Sequence, residues 1–298
     1  MKIFCSFIAS LFLPSLVAFT QQGDPLRSKY EQRIKNIVNS ADAIVGVAVK
    51  NLSTGEELLI NGDEVFPQAS SIKIHILAEL YRQAATGRVK LGEPLPLPAR
   101  SKVGGSGVLA ELGDGTVSMS LRDYAILMIV LSDNTATNLI IETVGMENVN
   151  GFLFSHGVQQ TKLQRIMMDM EAARLGRENI GTPREVMMIL EKMYNGELVD
   201  TPSSQELISI LKKPKGGSIR SGIPSSVELA NKEGEIDGVR CDVGIVYLPK
   251  SPYVICVMTK MLATPRDGSL IITEISQATY RYFERKANSN RYGRRIAD

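Results

Sequence analysis

Residues 67–77 read PQASSIKIHIL, and the chain changes character inside them. Before this stretch, AIVGVAVKNLSTG and EELLING carry β-branched, partly alternating residues around a Ser-Thr-Gly turn, which is the pattern of two strands. After it, as far as about residue 212, apolar positions recur at helical spacing in SIKIHILAELYRQAATG, LRDYAILMIVLS, NTATNLIIETVG, ENVNGFLFSHG, PREVMMILEKMYNG and SQELISILKK. Ser70 stands where the first of these helices begins, and Lys73 follows one turn later on the same face. A serine hydroxyl is a weak nucleophile until a neighbouring base accepts its proton. Lysine becomes such a base when burial and nearby positive charge lower its pKa, and a helix N-terminus favours the negative charge that develops.

Working outward, Ser120 with Asp123, Thr182 with Glu185 behind Pro183, and Ser203 with Glu206 fit helix-starting capping boxes. Asp24-Pro25 starts an earlier helix in which Tyr30, Ile34, Ile37 and Val38 share a face. Beyond Gly216 the strand pattern returns in VELANKEGEI, VRCDVGIVYL and YVICVMTKML, before a final helix, SLIITEISQATYRYFERKA. Asp237-Gly238 supplies the positive φ angles of a tight hairpin, which sets Glu235 opposite Arg240 and Glu233 opposite Asp242. Strands at both ends and helices between them predict an α+β fold. Residues 24–66 and 213–298 would form a mixed antiparallel sheet domain flanked by helices, with an all-α domain, 67–212, inserted.

The first twenty residues place a Lys ahead of an apolar run and then small or polar residues, the layout of a signal peptide cleaved near Thr20, so a periplasmic or secreted protein is expected. Cys5 lies too early for a lipid attachment site, and nothing later is apolar for long enough to cross a bilayer. Lys and Arg number 34 against 32 Asp and Glu, scattered along the chain, which argues against nucleic acid and, after signal cleavage, against a membrane as partner. A monomer acting on a small molecule is the expectation. With two histidines, His75 and His156, a metal site or other cofactor is not expected, and His156 before Gly reads as a helix end rather than a triad member. Cys241 and Cys256 fall on adjacent strands out of register, so both read as buried free thiols. The IMMDM run reads as core filling.

Ser-x-x-Lys alone is a weak signal. Ser209 and Lys212 match it too, but at a helix C-terminus, where the dipole opposes an oxyanion. Ser70-x-x-Lys73 gains weight from Ser132-Asp133-Asn134 between two apolar helices and from Lys232-Glu233-Gly234 on the strand entering the Asp-Gly hairpin. In order and separation these resemble the S-x-x-K, S-D-N and K-T-G motifs of class A β-lactamases and penicillin-binding proteins, over essentially the whole mature chain. The resemblance implies a β-lactamase/transpeptidase-like fold with Ser70 forming an acyl-enzyme and Lys73 handling its proton. It further implies that Ser132 relays a proton to the leaving nitrogen and that Asn134 holds the substrate amide and Lys73. Lys232, with Gly234 and Arg240 beside it, would serve the substrate carboxylate, and the N–H groups of Ser70 and Glu235 would form the oxyanion hole.

Two departures stand out. The family's loop carries Glu-x-x-x-Asn to hold the deacylating water, and QRIMMDMEAARLGRENIGTP has none, leaving Asp169, ahead of Glu171, as the nearest base, unless these acids pair with Arg165, Arg174 or Arg177. The third motif has Glu233 where a hydroxyl is usual, and a carboxylate repels a substrate carboxylate. Facing Asp242, Glu233 must point to open water, lie beside Lys73 or Lys232, or mark a changed substrate. The resulting expectation is a β-lactamase-like hydrolase with slow deacylation. A D,D-peptidase acting on a peptidoglycan-like peptide, an esterase or amidase, and a slowly acylated penicillin-binding sensor are the alternatives.

Overall fold

The computed structural model describes residues 24–296. Its strands are β1 (Ile44–Asn51), β2 (Glu57–Ile60), β3 (Phe66–Pro67), β4 (Pro94–Pro96), β5 (Ser118–Ser120), β6 (Ile180–Gly181), β7 (Leu229–Ile236), β8 (Val239–Val246) and β9 (Tyr253–Lys260). Strands β2-β1-β9-β8-β7 form one antiparallel sheet, while β3 pairs with β6 and β4 with β5. The N-terminal strand β1 thus lies directly against the last strand, with Val47 opposite Val257.

Both faces of the sheet are covered. Val45, Val47 and Val49 pack with helices α1 (Pro25–Ser40) and α10 (Pro265–Ala287), where Tyr30 stacks on Tyr282 at 4.3 Å between ring centroids. On the other face Ala48, Cys241, Val243 and Cys256 meet the helical layer. That layer is built from α2 (Lys73–Ala85), α3 (Leu121–Val130), α4 (Asn134–Val144), α5 (Met146–Ser155), α6 (Met170–Arg174), α7 (Pro183–Tyr194) and α8 (Thr201–Lys212), and the single turn α9 (Ser218–Ser221) leads into β7. The α+β architecture expected from the sequence is the one observed, and no helix among the described residues is long and apolar enough to cross a membrane.

Several local expectations change. Asp200, not Ser203, caps α8 by accepting the Ser203 N–H at 2.7 Å, because Pro202 fits the first helical turn and moves the start upstream. The last helix starts at Pro265 under a Thr264–Asp267 capping box, four residues before the apolar pattern begins. Thr182 caps α7, but Glu185 does not reciprocate; its carboxylate takes the N–H groups of Gln159, Gln160 and Thr161. Cys241 pairs with Met258 and Cys256 with Val243, so the thiols are out of register and both are free and buried. The expected signal peptide, residues 1–20, lies outside the described residues.

Helix α2 is buried all round, as a central core helix must be, and it therefore encloses polar residues as well. His75 is fully buried, neither ring nitrogen has a partner, and burial pushes the imidazole down to about 4 against a weak opposing pull from Glu185. The unfolded chain, with an ordinary histidine near pH 6.5, binds more protons between these two values. Stability from His75 is thus complete above about pH 6.5 and falls as pH drops toward 4, by roughly 2.5 kcal/mol at about pH 4.5. Urea unfolding of His75→Leu should show that increment removed relative to wild type. Parallel stability–pH curves for the two proteins would refute it.

Candidate active site

Ser70, the candidate nucleophile, sits on a turn fixed by unusual backbone. After β3, Ala69 adopts φ 47°, a left-handed conformation costly for a residue with a Cβ, and residues Ala69–Ile72 form a 3-10 turn leading into α2. Neighbouring contacts hold the turn: the Ser71 hydroxyl donates to Gln68 O at 2.7 Å, and Gln68 N–H donates to Asn179 O at 2.8 Å. Strand β7 presses on it from the other side. A Cβ on Gly234 would lie 2.5 Å from Gln68 O and 2.8 Å from Ser70 N, so only glycine permits this approach.

Lys73 points into the space between the helices and the sheet. Its ammonium donates to Ser132 O at 2.7 Å, Ser132 Oγ at 3.1 Å and Asn134 Oδ1 at 2.9 Å. Burial, reinforced by the nearby Lys232 charge and only partly opposed by Asp133, holds its pKa well below the usual lysine range. The Ser-Asp-Asn segment divides its labour. Ser132, at φ 53°, and Asn134 turn toward Lys73, while Asp133 caps α4 through Ala136 N–H and ties down the N–H groups of Val108 and Leu109. Asp133 is therefore a helix cap, and the two residues beside it bond Lys73.

On β7, Lys232 is buried and its ammonium donates to Glu233 O at 2.8 Å. Burial pushes it down to about 8, with Glu233 and Asp242 resisting. Register places Glu233 opposite Asp242 and Glu235 opposite Arg240, as the hairpin spacing predicts. The like-charge pair is relieved by a cation that Glu233 shares with Glu235. Arg240 bonds Glu233 at 2.9 Å and also pairs with Glu235. Asp242 is fully buried beneath α9, where it accepts from Ile219 N–H at 2.8 Å and Asn231 Nδ2 at 2.9 Å, and burial raises its pKa to about 6. Lys215, also pushed down to about 8 by burial and by Lys232, adds a cation that no motif announced.

The loop from 162 to 180 closes the remaining side. Asn179 Oδ1 accepts the N–H groups of Gln164 and Arg165, and Arg165 pairs with Glu178 at 2.8 Å. Asn138, one turn after Asn134 on α4, clamps Met167 through both its backbone groups, at 2.8 and 3.1 Å. Together these define a cavity of about 440 Å³ lined by Ser70, Asn134, Met167, Met168, Met170 and Glu235 among others.

Asp169 does not belong to that lining. Its carboxylate caps α6 by accepting Ala172 N–H at 2.9 Å, because α6 begins at Met170 and its first N–H groups need an acceptor. Glu171 is exposed in the first turn of the same helix. The methionines also depart from the core-filling expectation. Met167 is buried, but Met168 and Met170 are 43 and 61 % exposed, and all three face the cavity. Ser209 and Lys212 lie on α8 outside it, with Lys212 paired to Glu228. His156 ends α5 against the edge of Phe152, and no metal-binding cluster occurs among the described residues.

A buried, deprotonation-prone lysine one turn after a serine on a strained turn, inside this sheet-and-helix frame, defines a serine hydrolase of the β-lactamase type. The chain belongs to the beta-lactamase enzyme family, whose model matches residues 29–283. It is 29 % identical over 242 residues to Beta-lactamase CARB-3 of Pseudomonas aeruginosa, covering 78 % of this chain and 80 % of that protein. The Imipenem-hydrolyzing beta-lactamase of Enterobacter cloacae is 28 % identical over 263 residues, covering 85 and 88 %. Among solved structures, PBP-A superposes with a TM-score of 0.80 at 29 % identity over 86 % of this chain and 96 % of that one. A PBP-A variant captured as an acyl-enzyme complex with penicillin G gives 0.79 over 86 and 97 %.

Proposed function

We propose that this protein opens β-lactam amide bonds by acylating Ser70 and releases the acyl group slowly. Neutral Lys73 takes the Ser70 hydroxyl proton as the oxygen attacks the carbonyl carbon. The Ser70 and Glu235 N–H groups receive the oxyanion, a charge present only in the tetrahedral state. Ser132 then gives its proton to the departing nitrogen and is reprotonated from Lys73, with which it already shares a hydrogen bond at 3.1 Å. Lys232 supplies positive charge for an anionic substrate, while Arg240, engaged by Glu233 and Glu235, has little left to offer.

The observation that carries slow release is Met167. A thioether cannot accept a proton from water, and it occupies the loop position that faces Ser70's cavity. The same wall favours a second reading, a penicillin-binding protein that acylates and stays trapped, and the likeness to PBP-A supports it. Export, inferred from the apolar leader, would place either protein where such substrates are met.

With a chromogenic cephalosporin we expect a burst of one equivalent followed by slow turnover, an intact-mass shift equal to the acyl group, and peptide mapping of the adduct to Ser70. An adduct on Ser71, Ser132 or Ser209, or turnover without a burst, contradicts the proposal.

A further inference from the structure

Lys29 and Arg33 lie one turn apart on α1, and Arg281 and Arg285 one turn apart on α10. The two helices pack side by side, so these cations share one hollow of about 230 Å³ with Leu26 and Tyr282. Arg281 and Arg285 also line an adjoining hollow of about 850 Å³, which continues to Arg291 and Arg295 in the turn after α10. Folding therefore gathers into one basic face charges that look scattered along the sequence.

This face is not neutralised from within. Glu31 is taken by Arg27, Glu284 by Arg295, and both Asp24 and Glu56 by Lys286. Among the described residues, Lys29, Arg33, Arg281, Arg285 and Arg294 have no acidic partner within ion-pair distance. Like charges one turn apart weaken a helix, and here two such pairs face each other. The arrangement costs stability unless an anionic surface covers it.

The chain beyond α10 says which kind of surface. It folds back on itself, with Ile296 N–H donating to Asn288 O at 2.8 Å and Asn290 N–H to Arg294 O at 3.0 Å. This turn holds Tyr292 and Ile296 outward, 79 and 55 % exposed, with the Arg291 guanidinium 4.7 Å above the Tyr292 ring. A soluble polyanion gives an exposed isoleucine nothing. A bilayer interface takes both the cations, over its phosphates, and the apolar side chains, at its acyl boundary.

We propose that the α1–α10 face docks on an anionic phospholipid surface, with Lys29, Arg33, Arg281 and Arg285 over the headgroups and Tyr292 and Ile296, exposed on the adjoining turn, inserted beside them. Helices α1 and α10 cover the sheet face opposite the helical layer, so docking leaves the Ser70 cavity open.

The test is flotation of the whole protein with vesicles of phosphatidylcholine alone or containing about a third phosphatidylglycerol, across a salt series. Binding should require phosphatidylglycerol, weaken as salt rises, and fall about fivefold for each cation removed in Arg281→Gln, Arg285→Gln, Lys29→Gln and Arg33→Gln. Tyr292→Ala with Ile296→Ser should weaken vesicle binding while leaving retention on a polyphosphate column unchanged. Unaltered hydrolysis of the chromogenic cephalosporin verifies that each variant is folded. The proposal is overturned by absence of binding at low salt, by equal binding to phosphatidylcholine alone, or by vesicle affinity indifferent to Tyr292 and Ile296, the last pointing to a soluble polyanion instead.

Discussion

Met167→Glu is expected to shorten the life of the Ser70 acyl-enzyme by a hundredfold to ten-thousandfold, the usual contribution of a positioned general base. Three features make this residue the place to put one. Asn138 fixes its backbone from both sides, its side chain faces the cavity of Ser70, and glutamate is close to methionine in length and volume. Glu171 stands four residues on, where the family's Glu-x-x-x-Asn spacing asks for an amide. Adding Glu171→Asn restores that spacing, but Glu171 is exposed and lies outside the cavity lining, so little further gain is expected. The measurement is the decay of the adduct mass after a pulse of penicillin. If neither the single nor the double variant changes that decay, water reaches the ester from another direction, and Asp237 at the cavity mouth becomes the group to examine.

Lys73→Met should slow acylation by a comparable hundredfold to ten-thousandfold, and Lys73→Arg should fall nearly as far. The second variant separates chemistry from packing. Arginine keeps the charge and can reach Asn134 Oδ1 and Ser132 O, but it does not give up its proton in a protein. Wild-type acylation should rise with pH as Lys73 becomes neutral. Toward anionic substrates it should fall again above about 8, where Lys232 loses its charge. Both lysines have pKa values lowered by burial, so each is neutral above its folded-state pKa and charged below it. The rising limb should vanish in both Lys73 variants. Its persistence in Lys73→Arg would assign the base to another group.

What could be read in the chain follows from how local each signal is. The turn at 237–238 fixes the pairing of β7 with β8, so Glu233 and Glu235 were matched to Asp242 and Arg240 from spacing alone. Helix starts at Ser120 and Thr182 were equally visible, because a cap and its N–H partner lie three residues apart. That Arg240 serves both glutamates was legible in part, since the register sets it opposite Glu235, while its bond to Glu233 depends on a rotamer the register leaves open. Less local features were not legible. Nor were the capping by Asp169 and the place of Met167 at the cavity. An acid three residues before Ala172 reads as a possible base until helix α6 claims it as a cap, and a methionine gives no sign of facing a cavity. Lys215 and the α1–α10 face escaped for a third reason: their neighbours come from sequence-distant segments that only the fold brings together.

The pairing of β1 with β9 also sets an order of events. About two hundred residues separate Val47 from Val257, and until the later strand exists the first has only β2 beside it. Closing so long a loop is slow, and contacts of this span are made late in folding. Gly234, which presses the nucleophile's turn into shape, belongs to that late part of the chain. A partly synthesised or partly threaded polypeptide therefore carries Ser70 and Lys73 without the wall that makes them reactive. If Ser70 is acylated as proposed, the acylating centre comes into being only when the chain is nearly complete, so an unfinished molecule should resist acylation.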